Sequence, residues 1–260
     1  IYFDEILSSV TPEKEVLEQF AKIAFDEKWF SILGKIIKAM EAADIDVPAE
    51  YRDAVNQHEA PAIKLSGMVT VWVNRGIKIE SGVGLPDQVI GSGFFIDRRG
   101  YLLTNHHVIA SEVDPKYEGF SRLYVRLPGN MQTKIPARVV GYDSVFDVAL
   151  LKTEVTPSTL FSLSLDEQFN PGEQIYAIGS PLGLESTITS GIISATGRRL
   201  LQLGDTIQVD VPINSGNSGG PLFNKDGKIV GIVFAGIEQY EGINFAIPAE
   251  WIAPLLPKLY

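Results

Sequence analysis

The sequence contains no cysteine, and its positive charges are outnumbered by its negative ones. Without cysteine the chain forms no disulfide, and this absence fits an oxidising and a reducing compartment equally well. The 260 residues include 22 lysines and arginines against 32 aspartates and glutamates, for a net charge of −10. No basic cluster is present, so the sequence disfavours nucleic acid, whose phosphates need clustered lysine and arginine, as a partner.

Other signatures are missing as well. No apolar run approaches membrane-spanning length, and no signal peptide precedes Ile1. The sequence lacks zinc and iron–sulfur ligand spacings, a phosphate-binding loop and a dinucleotide fingerprint. We therefore expect neither a metal site nor a cofactor. The chain does not begin with methionine, which is consistent with an export signal or anchor upstream of this sequence.

Three motifs supply a base, an acid and a nucleophile in that order along the chain. Residues 104–108 contain adjacent histidines, residues 146–151 place Asp147 before an apolar strand, and residues 216–222 place Ser218 among glycines. Each motif alone is typical of a turn or loop end. Together they place histidine, aspartate and serine in the order found along the chymotrypsin chain. The order in α/β-hydrolases and in subtilisin is different. The sequence therefore predicts a serine nucleophile.

The chemistry of a serine nucleophile assigns a role to each residue. A serine hydroxyl needs an imidazole to accept its proton and a carboxylate to orient that imidazole. We predict that Ser218 attacks, His107 transfers the proton and Asp147 orients His107. Glycines on both sides of Ser218 let the N–H groups of Gly216 and Ser218 converge on a developing oxyanion.

Longer stretches of the sequence resemble the HtrA/Deg family of trypsin-fold serine proteases, from about residue 65 to the C-terminus. The segments that carry the resemblance are residues 91–94, 100–108, 190–195, 213–222 and 242–248. The family pattern places the base three residues after a threonine and directly before a valine, which selects His107. His106 is then interpreted as a structural or surface imidazole.

The expected fold is mostly β, with two antiparallel six-stranded β-barrels of chymotrypsin/trypsin type after a small α-helical N-terminal segment. Alternating apolar residues support strands, as in Leu123, Val125 and Leu127. We predict a helical segment over residues 1–60 and a trypsin-like serine protease domain over residues 61–260.

Two or three helices are predicted in the N-terminal segment. Thr11 and Pro12 are typical of a helix start, and a third short helix is predicted after Pro48. Apolar stripes at helical spacing are predicted in both longer helices. The stripe of the first comprises Val16, Phe20, Ile23 and Ala24; that of the second comprises Phe30, Leu33, Ile37 and Met40, broadened by Trp29, Ile32 and Ile36.

The role of this segment stays open between two alternatives. It carries 13 acidic and 6 basic residues, which accounts for seven of the ten net negative charges. It is either a solvated helical hairpin packed on the protease domain or a surface for oligomerisation or partner docking.

The substrate-binding residues are predicted from the positions of the trypsin fold. They are Pro212, Ile213, Phe234, Ala235, Gly236 and Gly242. Pro212, at the floor of the pocket, offers no counter-charge to a basic side chain, and Ile213 lines the pocket with hydrocarbon. We therefore predict cleavage after small or medium aliphatic residues such as valine, alanine or isoleucine. The strand that contains residues 234–236 is predicted to pair with extended polypeptide.

The resemblance implies a serine endopeptidase that cleaves unfolded or extended protein segments in envelope quality control, in the bacterial periplasm or cell envelope. Two alternatives remain: a regulatory protease for one dedicated partner, and a chaperone-like binder that does not cleave. The sequence departs from the family pattern in two places. No PDZ domain follows residues 251–260, and helices replace the short arm through which many relatives trimerise. Activity is also expected to depend on the ordering of residues 198–205 and 237–241.

Overall fold

The computed structural model describes residues 14–27, 29–55, 64–163, 169–199, 205–225, 227–236 and 242–259. The chain forms two compact units, Ile1–Ala62 and Ile63–Tyr260. No helix of the described segments is both long and apolar enough to cross a membrane.

The first unit is a set of short helices. Helix α1 spans Lys14–Asp26, α2 spans Phe30–Ala42, and residues 49–55 form α3. Apolar side chains of these helices and of the segment between α2 and α3 share one buried cluster, which comprises Leu17, Ala21, Ala24, Leu33, Ile36, Ile37, Met40, Val47 and Val55. This cluster confirms most of the predicted stripe of α2. The predicted helix start at Thr11 and Pro12 lies outside the described residues.

The predicted stripe of α1 is wrong for three of its four members. The residues that remain more than a third exposed are Val16, Phe20 and Ile23, at 38%, 38% and 41%. The buried face is instead Leu17, Ala21 and Ala24, which lie four and three residues apart and therefore share one side of the helix. Small alanines let two helices approach closely, whereas the sequence interpretation weighted the larger side chains.

The second unit begins with a closed antiparallel barrel. Its strands are β1 (Met68–Glu80), β2 (Val83–Phe95), β3 (Tyr101–Thr104), β4 (Arg122–Leu127), β5 (Asn130–Asp143) and β6 (Val148–Thr153). They are arranged in the order β1-β2-β3-β6-β5-β4 around the barrel. Ser81 and Gly82 turn the β1–β2 hairpin with positive φ angles of 50° and 81°. The interior is filled by alternate strand residues, including Val71, Leu123 and Val125.

The second barrel uses six later strands. These are β8 (Gln174–Gly179), β9 (Thr187–Arg199), β10 (Asp205–Val209), β11 (Pro221–Asn224), β12 (Lys228–Gly236) and β13 (Asn244–Pro248). They pair antiparallel in the order β11-β8-β9-β10-β13-β12, and β11 and β12 pair to close the ring. The predicted pair of six-stranded barrels is confirmed. A two-residue strand, β7 (Ser162–Leu163), adds to β12 in parallel.

A core between the barrels joins them. Phe94 of the first barrel packs against Phe161, with ring centroids 5.2 Å apart, and Phe161 packs against Phe223 of the second barrel at 5.9 Å. All three side chains are almost fully buried. Helix α4 (His106–Val113) follows β3, and α5 (Ala249–Ile252) and α6 (Leu256–Leu259) follow the last strand. The three motifs predicted to carry chemistry therefore lie on two barrels that share a buried core.

Candidate active site

His107 is held by two bonds to one carboxylate. It is the second residue of α4, and its backbone N–H donates to Asp147 Oδ1 at 2.8 Å. Asp147 Oδ2 lies 2.7 Å from His107 Nδ1. An ionised carboxylate only accepts hydrogen bonds, so Nδ1 carries the ring proton and Nε2 keeps its lone pair. Asp147 thus caps the helix that carries the histidine and also sets the histidine's tautomer.

Asp147 itself has a left-handed backbone, with φ of 53°. This conformation is costly for a residue with a side chain. Its carbonyl accepts two hydrogen bonds, from Asn105 Nδ2 at 2.8 Å and from the His106 N–H at 3.2 Å. Asn105 precedes α4 as its N-cap residue but makes no side-chain cap bond, because its amide reaches Asp147 instead. Asn105 therefore helps to maintain the strained turn that presents the carboxylate.

The loop that contains Ser218 leaves two N–H groups available. Within the described residues, the N–H groups of Gly216 and Ser218 have no hydrogen-bond partner. By contrast, the intervening N–H of Asn217 donates to Asn214 O at 3.0 Å. Gly216 has φ of 100°, and a Cβ there would lie 2.4 Å from Ser180 O. Only glycine fits this position without displacing the backbone, and the two available N–H groups are suited to bind an oxyanion.

Ser92 of β2 links the first barrel to this loop. Its N–H donates to Ser218 O at 2.7 Å, and its Oγ donates to Gly216 O at 2.7 Å. The same Oγ accepts the N–H of Ser180 at 2.9 Å. Ser92 is fully buried. One residue, through its backbone N–H and its side chain, therefore ties both proposed oxyanion residues to the first barrel.

The loop also lies against the segment that carries the histidine. A Cβ at Gly91 would lie 2.7 Å from Val108 Cγ2 and 3.0 Å from Ser218 O. A Cβ at Gly219 would lie 3.0 Å from the nitrogen of Asn105. Ser218 is thereby brought to the start of α4. In the described part of the chain, however, Ser218 Oγ makes no hydrogen bond, to His107 or to any other group. Such bonds are often long before substrate binds.

The predicted floor of the specificity pocket is tied to two strands. Val211 O accepts Asn244 Nδ2 at 2.7 Å, and Pro212 O accepts Thr189 Oγ1 at 3.2 Å. Pro212 is exposed, whereas Ile213 is partly buried against the core of the second barrel. The predicted pocket floor is therefore positioned by β9 and β13.

The other predicted substrate-binding residues lie on β12 and just before β13. Ala235 pairs with Phe245 and Gly236 pairs with Asn244 across the two strands, while Phe234 packs against the core between the barrels. Gly242 has φ of 75°, and a Cβ there would lie 3.9 Å from Asp210 Cβ, an ordinary van der Waals contact. Residues 200–204 and 237–241, within the loops expected to control activity, lie outside the described residues.

The family of the chain follows from its match to known domains. The trypsin-like peptidase domain matches residues 91–232, which is more than half of the sequence. The chain belongs to the trypsin-like peptidase family. The match includes His107, Asp147 and Ser218.

Relatives place this trypsin-like peptidase in the HtrA/Deg group. The protein named Probable periplasmic serine endoprotease DegP-like from Marinomonas sp. (strain MWYL1) is 43% identical over 175 residues, which are 65% of this chain and 35% of the relative. The corresponding protein of Hahella chejuensis is 40% identical over 177 residues, 66% of this chain and 36% of the relative. The chain thus spans about a third of the length of these curated relatives.

Solved structures agree with this grouping. The serine endoprotease from Yersinia pestis superposes with a TM-score of 0.62 at 32% identity, covering 82% of this chain and 68% of that one. The HtrA-type protease AlgW with tripeptide superposes with a TM-score of 0.65 at 30% identity, covering 78% of this chain and 63% of that one.

Sequence reasoning missed the residues that position the trypsin-like site. Asn105, Ser92 and Asn244 all bond to backbone carbonyls across long stretches of chain. All three lie inside segments that carry the family resemblance, and the positions of Asn105 and Ser92 next to histidine and glycine were an available signal. Asn244 stands in an otherwise apolar strand, and an isolated buried amide of that kind indicates a long-range bond.

Proposed function

We propose that this chain is a serine endopeptidase in which Ser218, His107 and Asp147 form the catalytic triad. The observation that carries the proposal is the double attachment of His107 to Asp147, through the ring and through the backbone. A histidine that merely caps a surface helix has no need for a carboxylate that fixes its tautomer. The match to trypsin-like peptidases supports the same assignment.

The geometry leads to an acyl-enzyme mechanism. Ser218 Oγ attacks the scissile carbonyl carbon while His107 Nε2 accepts the hydroxyl proton. Asp147 stabilises the resulting imidazolium, and the N–H groups of Gly216 and Ser218 bind the oxyanion. The C–N bond then breaks, and His107 returns the proton to the leaving amine. Water attacks the ester with the same base, which releases the acid and regenerates the serine.

We further propose that the substrates are unfolded or extended polypeptide segments. A peptide in extended conformation would pair with β12 near residues 234–236. Pro212 and Ile213 provide no charge, so small or medium aliphatic residues are expected before the cleaved bond. The names of the relatives support a role as a periplasmic endoprotease, and we propose a bacterial periplasmic or envelope location with a role in protein quality control. Cleavage of one dedicated partner is the regulatory alternative.

The experiment compares the chain with Ser218→Ala in three assays: labelling by a fluorophosphonate probe, digestion of casein, and cleavage of a peptide library. Loss of the nucleophile should lower turnover by about 10⁶ if the triad acts as a unit. Broad casein digestion would favour quality control, while a reactive serine without casein digestion would favour a dedicated partner. Library cleavage mainly after arginine or lysine would overturn the proposed pocket.

A second candidate is a chaperone-like binder that holds extended chains without cleaving them. The observation that favours it is the absence, in the described residues, of a hydrogen bond from Ser218 Oγ to His107. This candidate predicts that extended peptides bind while the fluorophosphonate probe leaves Ser218 unlabelled. Labelling that Ser218→Ala abolishes would eliminate it.

We propose that the N-terminal helices serve either the assembly of several copies or the docking of a partner. The family resemblance suggests a trimer for the assembly. The supporting observations are that the first unit has its own buried core and carries most of the net negative charge of the chain.

A further inference from the structure

Leu182 has an unusual conformation for an aliphatic residue. It lies in the loop between β8 and β9, with φ of 55° and ψ of 20°. L-residues with a Cβ rarely adopt this left-handed conformation, which glycine or asparagine accepts at lower cost. The side chain gains little packing in return, because 73% of Leu182 is exposed. Strained residues that packing does not explain cluster at functional sites.

The strained backbone lies directly beside the proposed oxyanion loop. The Leu182 N–H donates to Ser215 O at 2.9 Å. A Cβ at Gly216 would lie 2.9 Å from the nitrogen of Leu182 and 2.4 Å from Ser180 O. The backbone of Leu182 is therefore bonded to Ser215 and lies against Gly216, the residue whose N–H is proposed to bind the oxyanion.

Neighbouring contacts indicate which part of a peptide would reach Leu182. Strand β12 bonds to the C-terminal end of the loop that contains Ser218. Gly219 N–H donates to Val233 O, and Val233 N–H donates to Gly220 O, each at 2.9 Å. Leu182 instead borders the N-terminal end of the same loop, at Ser215 and Gly216. A peptide paired with β12 on the acyl side of the scissile bond would continue past Ser218 toward Leu182.

The loop around Leu182 also reaches the first barrel. A Cβ at Gly183 would lie 2.8 Å from Trp72 Cζ2 and 3.2 Å from Ile90 Cδ1. The loop therefore bridges the two barrels beside the nucleophile. Its residue Leu182 exposes an aliphatic side chain there. An aliphatic side chain that contacts the substrate favours apolar substrate side chains at that position.

We propose that Leu182 forms a binding subsite for an apolar side chain of the residue that follows the scissile bond. The inference rests on the proposed endopeptidase function and extends it to the leaving-group side of the substrate. The strained backbone presents the side chain to substrate rather than to the core.

The test uses matched peptides that differ only in the residue after the scissile bond, with leucine or serine at that position. The ratio of kcat/KM for the two peptides is measured for the parent chain, Leu182→Gly and Leu182→Asn. We expect the parent to favour leucine by about tenfold, as one well-placed aliphatic contact does, and both variants to bring the ratio near one. Since glycine and asparagine accept the left-handed backbone, neither variant should melt more than about 2 °C below the parent.

Ser81→Gly is the matched control, because Ser81 is another exposed residue with positive φ, in the β1–β2 turn. It should leave the peptide ratio at the parent value. Failure of the parent to cleave any peptide would refute the proposed endopeptidase itself. A parent that cleaves without preferring leucine, or a Leu182 variant that keeps the preference, would overturn the subsite alone.

Discussion

Asn105 offers a direct test of how the first barrel prepares the proposed catalytic acid. The change is Asn105→Ala, which removes the amide that donates to Asp147 O at 2.8 Å. Asp147 O would keep only the His106 N–H at 3.2 Å. Asp147 has a left-handed backbone, so loss of this bond should let the turn relax toward φ below zero. The carboxylate would then shift relative to His107.

The structure limits the effect on stability. Loss of a buried hydrogen bond with a partly satisfied partner costs about 1–2 kcal/mol. Asn105 is fully buried and its Oδ1 has no hydrogen-bond partner, so removal of that unpaired oxygen offsets part of the loss. We expect a decrease of about 1 kcal/mol in the free energy of unfolding.

The effect on activity should be larger. A misplacement of about 1 Å in a catalytic group costs about 10²-fold, and exchange of the triad aspartate of a trypsin-like enzyme costs about 10⁴-fold. Asn105→Ala should therefore lower kcat by 10- to 100-fold, with KM nearly unchanged, since Asn105 is not among the predicted substrate-binding residues.

The assay measures kcat and KM on a cleaved peptide together with unfolding in denaturant. Thr153→Val is the matched control: Thr153 is buried in the same barrel, and its Oγ1 donates to Gly100 O at 3.3 Å. The control should lose similar stability and retain kcat. If Asn105→Ala lowered kcat no more than the control does, the positioning role of Asn105 would be refuted.

Two further predictions concern the oxyanion loop and the N-terminal unit. Gly216→Ala should lower kcat by at least about 10²-fold, as loss of an oxyanion donor does. The φ of 100° and the added Cβ, which would lie 2.4 Å from Ser180 O, force the loop to move. Parent-like kinetics would contradict the assignment of Gly216 as a donor. Deletion of residues 1–60 should lower the number of copies per assembly, measured by sedimentation. An unchanged assembly state would remove oligomerisation as the role of the helices.

The sequence was sufficient to predict the parts of the fold that depend on local pattern. Alternating apolar residues predicted strands such as β4, and the motifs predicted that His107 pairs with Asp147, whose Oδ2 lies 2.7 Å from Nδ1. The stripe of α1 failed because Ala21 and Ala24 make the buried face, while the larger Phe20 and Ile23 remain outside. Helix periodicity gives the apolar positions, but which of two candidate faces is buried depends on how closely the neighbouring helix approaches.

Long-range polar contacts could not be predicted in this way. The bond from Asn105 to Asp147 spans 42 residues, and the bond from Ser92 to Gly216 spans 124. Their partners are backbone carbonyls, which carry no signal in the sequence. The left-handed Leu182 was equally hidden, because leucine is not the residue that a turn of this kind favours.

These contacts divide the proposed catalytic machinery between the barrels. The base and the acid are joined inside the first barrel, where Asp147 caps the helix of His107. The nucleophile and both proposed oxyanion N–H groups belong to a loop of the second barrel. Ser92 bonds to that loop at Ser218 O and Gly216 O. Ser92 and the shared aromatic core hold the two halves together, and the missing Ser218–His107 hydrogen bond within the described residues lies between them. Regulation of the proposed protease would therefore act on the loop that contains Ser218, where a small displacement makes or breaks the triad without unfolding either barrel.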